Sequence, residues 1–287
     1  MDQDIHESKN QTFIPMTSIA SMTGQEVTED VYMYTDQIVN IIFIGKPKGD
    51  WVLVDAGMPK AFSEIKRVAE KRFGNNNRPM AVILTHGHFD HVGGLVDLLR
   101  EWKVPVYAHE LEFPYLTGLK QYPEPDVTVE GGLLAKMSSI YPNEPINIES
   151  YLHSLSNNQR IPGLSDWQWI HTPGHSPGHV SLYRKKDGLV ISGDAFITVR
   201  QDSFYKVLMQ EAEINGPPRY LTTDWQAAWE SVRALAALHP QMVIPGHGPM
   251  MQGTELSEGL EILVQTFDQI AIPDQGKYVT RNKEDFH

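Results

Sequence analysis

The segment ILTHGHFDHVGG, residues 83–94, places three histidines and an aspartate within six positions directly after an apolar run. Side chains of an extended chain repeat every two residues, so His86 and His88 project to the same side of the strand that we predict at 81–85. The glycine pair 93–94 marks the turn into a helix, which directs Asp90 and His91 toward a second point. The spacing predicts one loop that supplies ligands to two metal ions; a loop whose histidines cap a helix or bind water is the alternative.

Composition limits the other classes of function. The chain has 287 residues, no cysteine and a formal net charge of −12. Without cysteine there are no disulfides, thiolate ligands or cysteine nucleophile, so any metal must be held by nitrogen and oxygen. The negative charge disfavours a nucleic-acid partner. The sequence shows neither a basic start followed by an apolar run nor a stretch of about 18 to 20 apolar residues, so we expect no membrane partner and a cytoplasmic location.

The hydrophobic pattern predicts two β-rich halves with helices packed on sheets, as one large domain or two closely packed ones, and we interpret the chain as a single α+β domain over 1–287. Residues 110–165 are interpreted as an irregular and partly helical insertion, because prolines at 114, 123, 125, 142 and 145 interrupt the pattern there. The insertion is interpreted as a lid over the active site, with a surface excursion as the alternative. The predicted strands are 37–44, 51–54, 81–85, 104–108, 167–171, 179–184, 189–192 and 242–244; the predicted helices are 60–73, one after Gly94, a piece at 133–141, 224–238 with Asp224 as N-cap, and 254–270.

The second half contributes three more candidate ligands. In HTPGHSPGHV, residues 171–180, His175 lies at the tip of a Pro-Gly turn, from which a side chain can reach another loop. His171 and His179 lie on predicted strands, where packing or a supporting role is the favoured interpretation. Asp194 follows an apolar strand in SGDAF, residues 192–196, and His247 lies between two glycines in IPGHGPM, residues 244–250.

A two-metal arrangement follows from these positions. His86, His88 and His175 are predicted to hold one ion, and Asp90, His91 and His247 the other. Asp194 is the candidate bridge, because a carboxylate has two oxygens that can hold two cations a few ångströms apart.

The His-x-His-x-Asp-His motif at 86–91, followed by His175, Asp194 and His247, resembles the ligand pattern of the metallo-β-lactamase superfamily of metallohydrolases. The likeness extends over roughly residues 30–270. The resemblance implies an αββα sandwich, in which two mixed sheets lie face to face with helices on their outer faces. It also implies that Asp55, in the segment LVDAG at 53–57, is a buried residue that supports the metal loops.

Departures from individual branches narrow the expected activity. The β-lactamases of the superfamily carry cysteine or serine where this chain has Asp194, so antibiotic hydrolysis is not expected as the main activity. The bridging aspartate is similar to the branch with glyoxalase II, lactone hydrolases and phosphodiesterases. Lactone hydrolases typically have a tyrosine where this chain has Ile197, and flavodiiron relatives have glutamate where it has His88.

The expected chemistry is hydrolysis of an ester, thioester, lactone or related small substrate by a metal-bridging hydroxide. Two zinc ions are expected, with iron or manganese as alternatives, since nitrogen and carboxylate ligands accept all three. Asp90 and Asp194 are the predicted catalytic residues, and Asp90 is also expected to relay a proton. A mononuclear iron persulfide dioxygenase that uses His86, His88 and Asp194 is the second hypothesis, and a non-catalytic metal-binding protein the third.

Substrate contacts are expected from the loop after Asp194, which carries Phe196, Arg200 and Tyr205. The insertion adds Tyr115 and Tyr122 as further candidates, and simple packing is the alternative for each of these residues. The predicted partner is a small-molecule substrate, with a homodimer left open.

Overall fold

The computed structural model describes residues 5–6, 21–129, 145–199 and 212–279. The chain divides into two units, the first formed by Met1–Tyr122 with Pro142–Ser165 and the second by Pro123–Tyr141 with Asp166–His287. The single-domain description stays a prediction. None of the helices in the described part of the chain combines the length and the hydropathy that a membrane span requires.

The first unit contains a mixed seven-stranded sheet whose strands follow one another in chain order, β1 to β7. Strands β1 to β4 pair antiparallel, and β4 to β7 pair parallel. The strands are β1 Thr23–Thr28, β2 Val31–Asp36, β3 Val39–Ile44, β4 Val52–Val54, β5 Val82–Ile83, β6 Val106–Ala108 and β7 Leu152–Ser154. The helices are α1 Phe62–Phe73, α2 Phe89–Val92, α3 Leu95–Trp102 and α4 Phe113–Leu116, with 3-10 turns at Glu110–Glu112 and Glu149–Tyr151.

Apolar runs explain the central strands of this sheet. Every residue of β3 and β4 is buried, as expected for strands that are covered on both faces. Helix α1 buries an apolar stripe that includes Ile65 and Val68, and the rings of Trp51 and Phe73 stack with centroids 4.6 Å apart. This packing fixes β4, and with it the loop that follows it.

A second mixed sheet has six strands in the order β15-β14-β11-β10-β9-β8. Strands β11 and β14 pair parallel, whereas β11 pairs antiparallel with β10 and β14 with β15. The strands are β8 Arg160–Ile161, β9 Leu164–His171, β10 Val180–Arg184, β11 Leu189–Gly193, β14 Met242–Pro245 and β15 Met251–Gln252. A separate pair joins β12 Ile197–Val199 and β13 Ala212–Asn215.

Three helices complete the second unit: α5 Trp225–Ala236, α6 Gly253–Gln265 and α7 Phe267–Ile270. Asp224 caps α5 as predicted, since its side chain accepts the backbone N–H of Ala227 at 3.0 Å. Buried residues of α5 and α6, including Val232 and Leu260, share one hydrophobic core with strand β11.

The two sheets place polar residues at equivalent strand ends. Asp55 directly follows β4, whose parallel neighbour β5 leads into His86. Asp194 directly follows β11, whose parallel neighbour β14 leads into His247. Because the carboxyl ends of neighbouring parallel strands lie at the same edge of a sheet, each unit gathers an aspartate and a histidine at one edge.

Several predicted elements differ in extent from the observed ones. The strand predicted at 37–44 begins at Val39, because Gln37 adopts a positive φ of 58° in the turn after β2. The last predicted helix is interrupted at Thr266, which separates α6 from α7. The helical piece predicted at 133–141 lies outside the described residues.

Candidate metal centre

The loop after β5 gathers four of the predicted ligands in the first unit. His88 is extended, with φ −65° and ψ 154°, and the short helix α2 that it precedes carries Asp90 and His91. The rings of His86 and His91 have centroids 4.2 Å apart, and those of His86 and His88 are 4.7 Å apart. Nε2 of His91 lies 4.0 Å from Oδ2 of Asp90. All four side chains are buried, so this loop brings them together inside one unit.

Asp55 and Thr85 fix the orientation of two of these imidazoles. Oδ2 of Asp55 accepts the Thr85 hydroxyl at 2.7 Å and lies 2.8 Å from Nδ1 of His91. Since the Thr85 hydroxyl donates to Asp55, its oxygen accepts from Nδ1 of His86, 3.0 Å away. Both rings therefore carry their proton on Nδ1 and present Nε2, on the opposite side of the ring, as the ligand atom.

The backbone holds Asp55 against the ligand loop. Asp55 has a positive φ of 61°, a conformation that aspartate tolerates better than most residues. The N–H of Ala56 donates to the carbonyl of His91 at 2.7 Å, and the N–H of Gly93 donates to the carbonyl of Gly57 at 2.8 Å. These bonds join the loop after β4 to the C-terminal end of α2.

The second unit brings together the other three predicted ligands. Nε2 of His175 lies 3.4 Å from Oδ2 of Asp194, and Nε2 of His247 lies 3.3 Å from the same oxygen. Nδ1 of His175 is 3.3 Å from the hydroxyl oxygen of Thr222, whose own proton goes to the carbonyl of Pro218 at 2.7 Å. His175 thus donates from Nδ1 and directs Nε2 toward Asp194, as the two imidazoles of the first unit present Nε2.

His179 contacts the backbone of Asp194. The N–H of Asp194 donates to Nε2 of His179 at 2.9 Å, so the proton of this ring lies on Nδ1, 2.8 Å from the Thr172 hydroxyl oxygen. His179 is fully buried, whereas His171 is exposed and contacts the carbonyl of Pro177 at 2.9 Å. His179 therefore holds the backbone of Asp194, the candidate bridging ligand, by accepting its N–H.

The chemistry of the donor set fits divalent cations. In each unit, buried imidazoles and carboxylates lie side by side, and burial of such carboxylates is costly unless they are paired or coordinate a metal. Imidazoles that donate from Nδ1 to a carboxylate or hydroxyl are typical of metal ligands. A set of nitrogen and oxygen donors without thiolate suits zinc, iron or manganese.

The residues predicted to contact substrate do not all lie beside the proposed ligands. Phe196 is fully buried, and its ring packs in the hydrophobic core of the second unit, as the packing alternative expects. Arg200 and Tyr205 lie outside the described residues. Tyr122 is 8% exposed, and its ring centroid lies 4.3 Å from that of His88.

Asp55 was expected to support the metal loops, but sequence reasoning missed the two threonines that hold His86 and His175. Thr85 adjoins His86 in the chain, so its position beside the motif was a usable signal. Thr222 lies 47 positions from His175, and no local pattern connects the two.

Comparison with known proteins agrees with this geometry. The model of the metallo-beta-lactamase superfamily matches residues 34–247. Probable metallo-hydrolase YflN of Bacillus subtilis is 42% identical over 260 residues, which cover 90% of this chain and 98% of YflN. Probable metallo-hydrolase YybB of the same organism is 29% identical over 203 residues, covering 71% of this chain and 78% of YybB. The crystal structure of TTHA1623 in a di-iron-bound form is 28% identical with a TM-score of 0.51, covering 79% of this chain and 93% of TTHA1623.

The family match and the solved relative confirm the predicted fold class, the α/β sandwich of this superfamily with two mixed sheets and helices. The match extends over most of the chain and includes every predicted ligand, from His86 in the first unit to His247 in the second. The chain therefore belongs to the metallo-β-lactamase superfamily and is a metal-dependent hydrolase.

Proposed function

We propose that this protein is a dinuclear metal hydrolase that acts on an ester, thioester, lactone or related small substrate. The observation that carries the proposal is the position of Asp194, one carboxylate oxygen of which lies 3.3 and 3.4 Å from Nε2 of His247 and of His175. Two imidazole nitrogens that converge on one buried carboxylate oxygen are the expected surroundings of a bridging ligand.

The proposed ligands of each ion are those predicted from the sequence. One ion would be held by His86, His88 and His175 and the other by Asp90, His91 and His247, with Asp194 shared between them. The tautomers support this assignment, since His86, His91 and His175 all donate from Nδ1 and present Nε2.

Two divalent cations, when bound, supply Lewis acidity and lower the pKa of a water molecule to about 7. The chain's own residues provide the surroundings for that chemistry. The carboxylate of Asp90 has an oxygen besides the one used as a ligand, and this oxygen accepts a proton during hydrolysis. The buried cluster excludes bulk water, which strengthens the electrostatic interactions within it. No serine or cysteine nucleophile is needed.

The metal we propose is zinc, and iron is the alternative with a specific observation behind it, because the similar protein TTHA1623 was solved in a di-iron form. The test is elemental analysis of the purified protein, combined with a hydrolysis screen of lactones, thioesters, phosphodiesters and β-lactams. About two zinc ions per chain and turnover of an ester-type substrate would support the proposal. One iron per chain, together with oxygen consumption when a persulfide is supplied, would favour the persulfide dioxygenase over the hydrolase. Bound metal without any turnover would favour a non-catalytic role.

A small molecule is the proposed partner, because a net charge of −12 repels the phosphate backbone of nucleic acids. The cytoplasmic location and the homodimer stay predictions.

A further inference from the structure

A buried cluster of hydrogen bonds holds the peptide between two proposed ligands. The N–H of Gly87 lies 3.0 Å from Oε2 of Glu112 and 3.0 Å from the hydroxyl oxygen of Tyr122. The Tyr122 hydroxyl in turn donates to Oε2 of Glu112. Three groups from separate parts of the first unit thus meet at one point, which we call the Gly87 clamp (Gly87, Glu112 and Tyr122).

The Gly87 clamp also contacts the imidazole of His88, the residue that follows Gly87 in the chain. The ring of Tyr122 lies 4.3 Å from that of His88 at an interplanar angle of 58°, and the ring of Tyr115 stacks on the other side of Tyr122 at 3.9 Å. Tyr122 therefore fixes the backbone of the ligand loop through its hydroxyl and restricts the His88 ring through its face.

Close approach explains the glycine at position 87. A Cβ atom built there would lie 2.7 Å from the Tyr122 hydroxyl and 3.0 Å from the side chain of Leu116. Any larger residue would push the clamp off the loop. The requirement for glycine thus arises from the residues that close on it.

Glu112 is costly to place at this position. It is fully buried at the end of the 3-10 turn Glu110–Glu112, and a buried carboxylate is unfavourable unless donors surround it. Its carboxylate lies beside the ligand loop, 25 positions away in the chain, with Gly87 and Tyr122 as donors. Because the Glu112 carboxylate accepts the N–H of Gly87, its position points to a role in holding the ligand loop.

We propose that Glu112 and Tyr122 are positioning residues that hold the Gly87 peptide and thereby set His86 and His88 for the first metal ion. This inference rests on the proposed function, because it assigns these two histidines to one ion. His91, which is assigned to the second ion with Asp90 and His247, is held directly by Asp55. Loss of the clamp should therefore weaken one metal site and spare the other.

Tyr122→Phe isolates the hydroxyl, since it keeps the ring against His88. Tyr34→Phe is the matched control: Tyr34 is 1% exposed, lies in the same unit, and its hydroxyl donates to Oε2 of Glu64 at 3.1 Å. Both variants remove a tyrosine-to-glutamate hydrogen bond, which is buried at Tyr122 and partly buried at Tyr34, but only the bond of Tyr122 lies beside the ligands. Glu112→Gln is the second clamp variant, for use if Tyr122→Phe does not fold.

The experiment is a titration of the metal-stripped full-length protein with Zn²⁺ in competition with a chromogenic chelator, with thermal unfolding measured in parallel. We expect Tyr122→Phe to lower the affinity of one of the two zinc ions by about 10- to 100-fold, the range found when partners behind metal ligands are removed. The other zinc ion should keep its affinity, and Tyr34→Phe should keep both.

If Tyr122→Phe and Glu112→Gln fold and bind both zinc ions as tightly as Tyr34→Phe does, the positioning role is overturned and the proposed function stands. An equal weakening of both zinc ions in the clamp variants would also overturn it, because it would indicate a general structural role. A wild-type protein that takes up no zinc, iron or manganese overturns the proposed function itself and the inference with it.

Discussion

Oδ2 of Asp55 lies 2.8 Å from Nδ1 of His91, and both side chains are at most 1% exposed. Asp55 is therefore not among the proposed ligands but decides which nitrogen of a ligand is available. A carboxylate can only accept, so it keeps the His91 proton on Nδ1 and the lone pair on Nε2. The same carboxylate accepts the N–H and the hydroxyl of Thr85, which connects it to His86 as well.

Asp55→Asn should weaken binding of the metal held by His91. The amide nitrogen of asparagine is a donor, and when it faces Nδ1 it favours the tautomer with the proton on Nε2, which cannot bind a cation. Asparagine also tolerates the positive φ of 61° at this position, so the backbone is preserved. Zinc titration against a competing chelator should show a loss of about 10- to 100-fold in affinity at one site.

Asp97→Asn is the control for the change of charge, because the Asp97 side chain is half-buried, away from the proposed ligands, and bonds only to Arg100 among the contacts described for it. It should leave both zinc affinities unchanged. Equal affinities in wild type and Asp55→Asn would mean that the bond to His91 does not govern its tautomer.

The parts of the fold that the sequence predicted are those with a strong hydrophobic signal. Strands β3, β4 and β11 are buried and largely apolar, and both aspartates that follow β4 and β11 were recognised as site candidates. Strand β1 was missed because its sequence TGQEVT is polar and its first four residues are exposed. It is a strand only through its pairing with β2, which no pattern within its own residues reports.

The site shows the same division. Ligand candidates were visible because histidine and aspartate are dense in short loops, whereas most of the residues that support them, apart from Asp55 and Thr85, are ordinary residues at distant positions. Glu112 and Tyr122 lie 25 and 35 positions from the Gly87 N–H that they accept. Contacts of this kind depend on the register of the sheet and the packing of the helices, so they become visible only in the folded chain.

His88→Ala and Asp194→Ala should each abolish turnover while the fold stays largely intact. Each change removes a proposed ligand without removing a residue of the apolar cores, and Asp194→Ala also removes a buried charge. Metal content, hydrolysis rate and far-UV circular dichroism should be measured together. His153→Ala is the matched histidine control, since His153 is exposed and contacts the Tyr107 ring instead. An unchanged rate in either ligand variant would contradict the site assignment.

Gly93→Ala should destabilise the protein and loosen the ligand loop. A Cβ atom at this position would lie 2.2 Å from backbone atoms of Met58 and Pro59, which cannot move aside as a flexible side chain can. We expect a loss of about 3 kcal/mol in the free energy of unfolding, at the upper end of the usual cost of overpacking. Chemical denaturation measures it. Gly49→Ala, whose Cβ would come no nearer than 3.2 Å to any atom, should cost clearly less.

Asp36→Asn should stabilise the protein above about pH 6. The pKa of Asp36 is raised from 3.8 to about 6, chiefly by burial and also by the nearby charge of Glu64, against the opposing hydrogen bond from the Met58 N–H. The folded state thus binds the Asp36 proton more tightly than the unfolded state, so the contribution of this group to stability is largest below about pH 4 and is lost as the pH rises through about 6. Asparagine keeps an acceptor for the Met58 N–H without this penalty, which is at most about 3 kcal/mol for a shift of this size.

Urea unfolding of wild type and Asp36→Asn at pH 4.5, 6 and 8 tests this, because titrations common to both proteins cancel in the difference. The stabilisation by Asp36→Asn should grow from pH 4.5 to 8. Asp126→Asn should behave oppositely: burial opposes ionisation of Asp126, but hydrogen bonds from Thr128 and from the Lys277 N–H outweigh it and lower its pKa. Ionised Asp126 therefore stabilises the fold near neutral pH, and its replacement should destabilise the protein most at pH 8. A constant difference across this pH range for Asp36→Asn would show that its carboxyl group titrates normally.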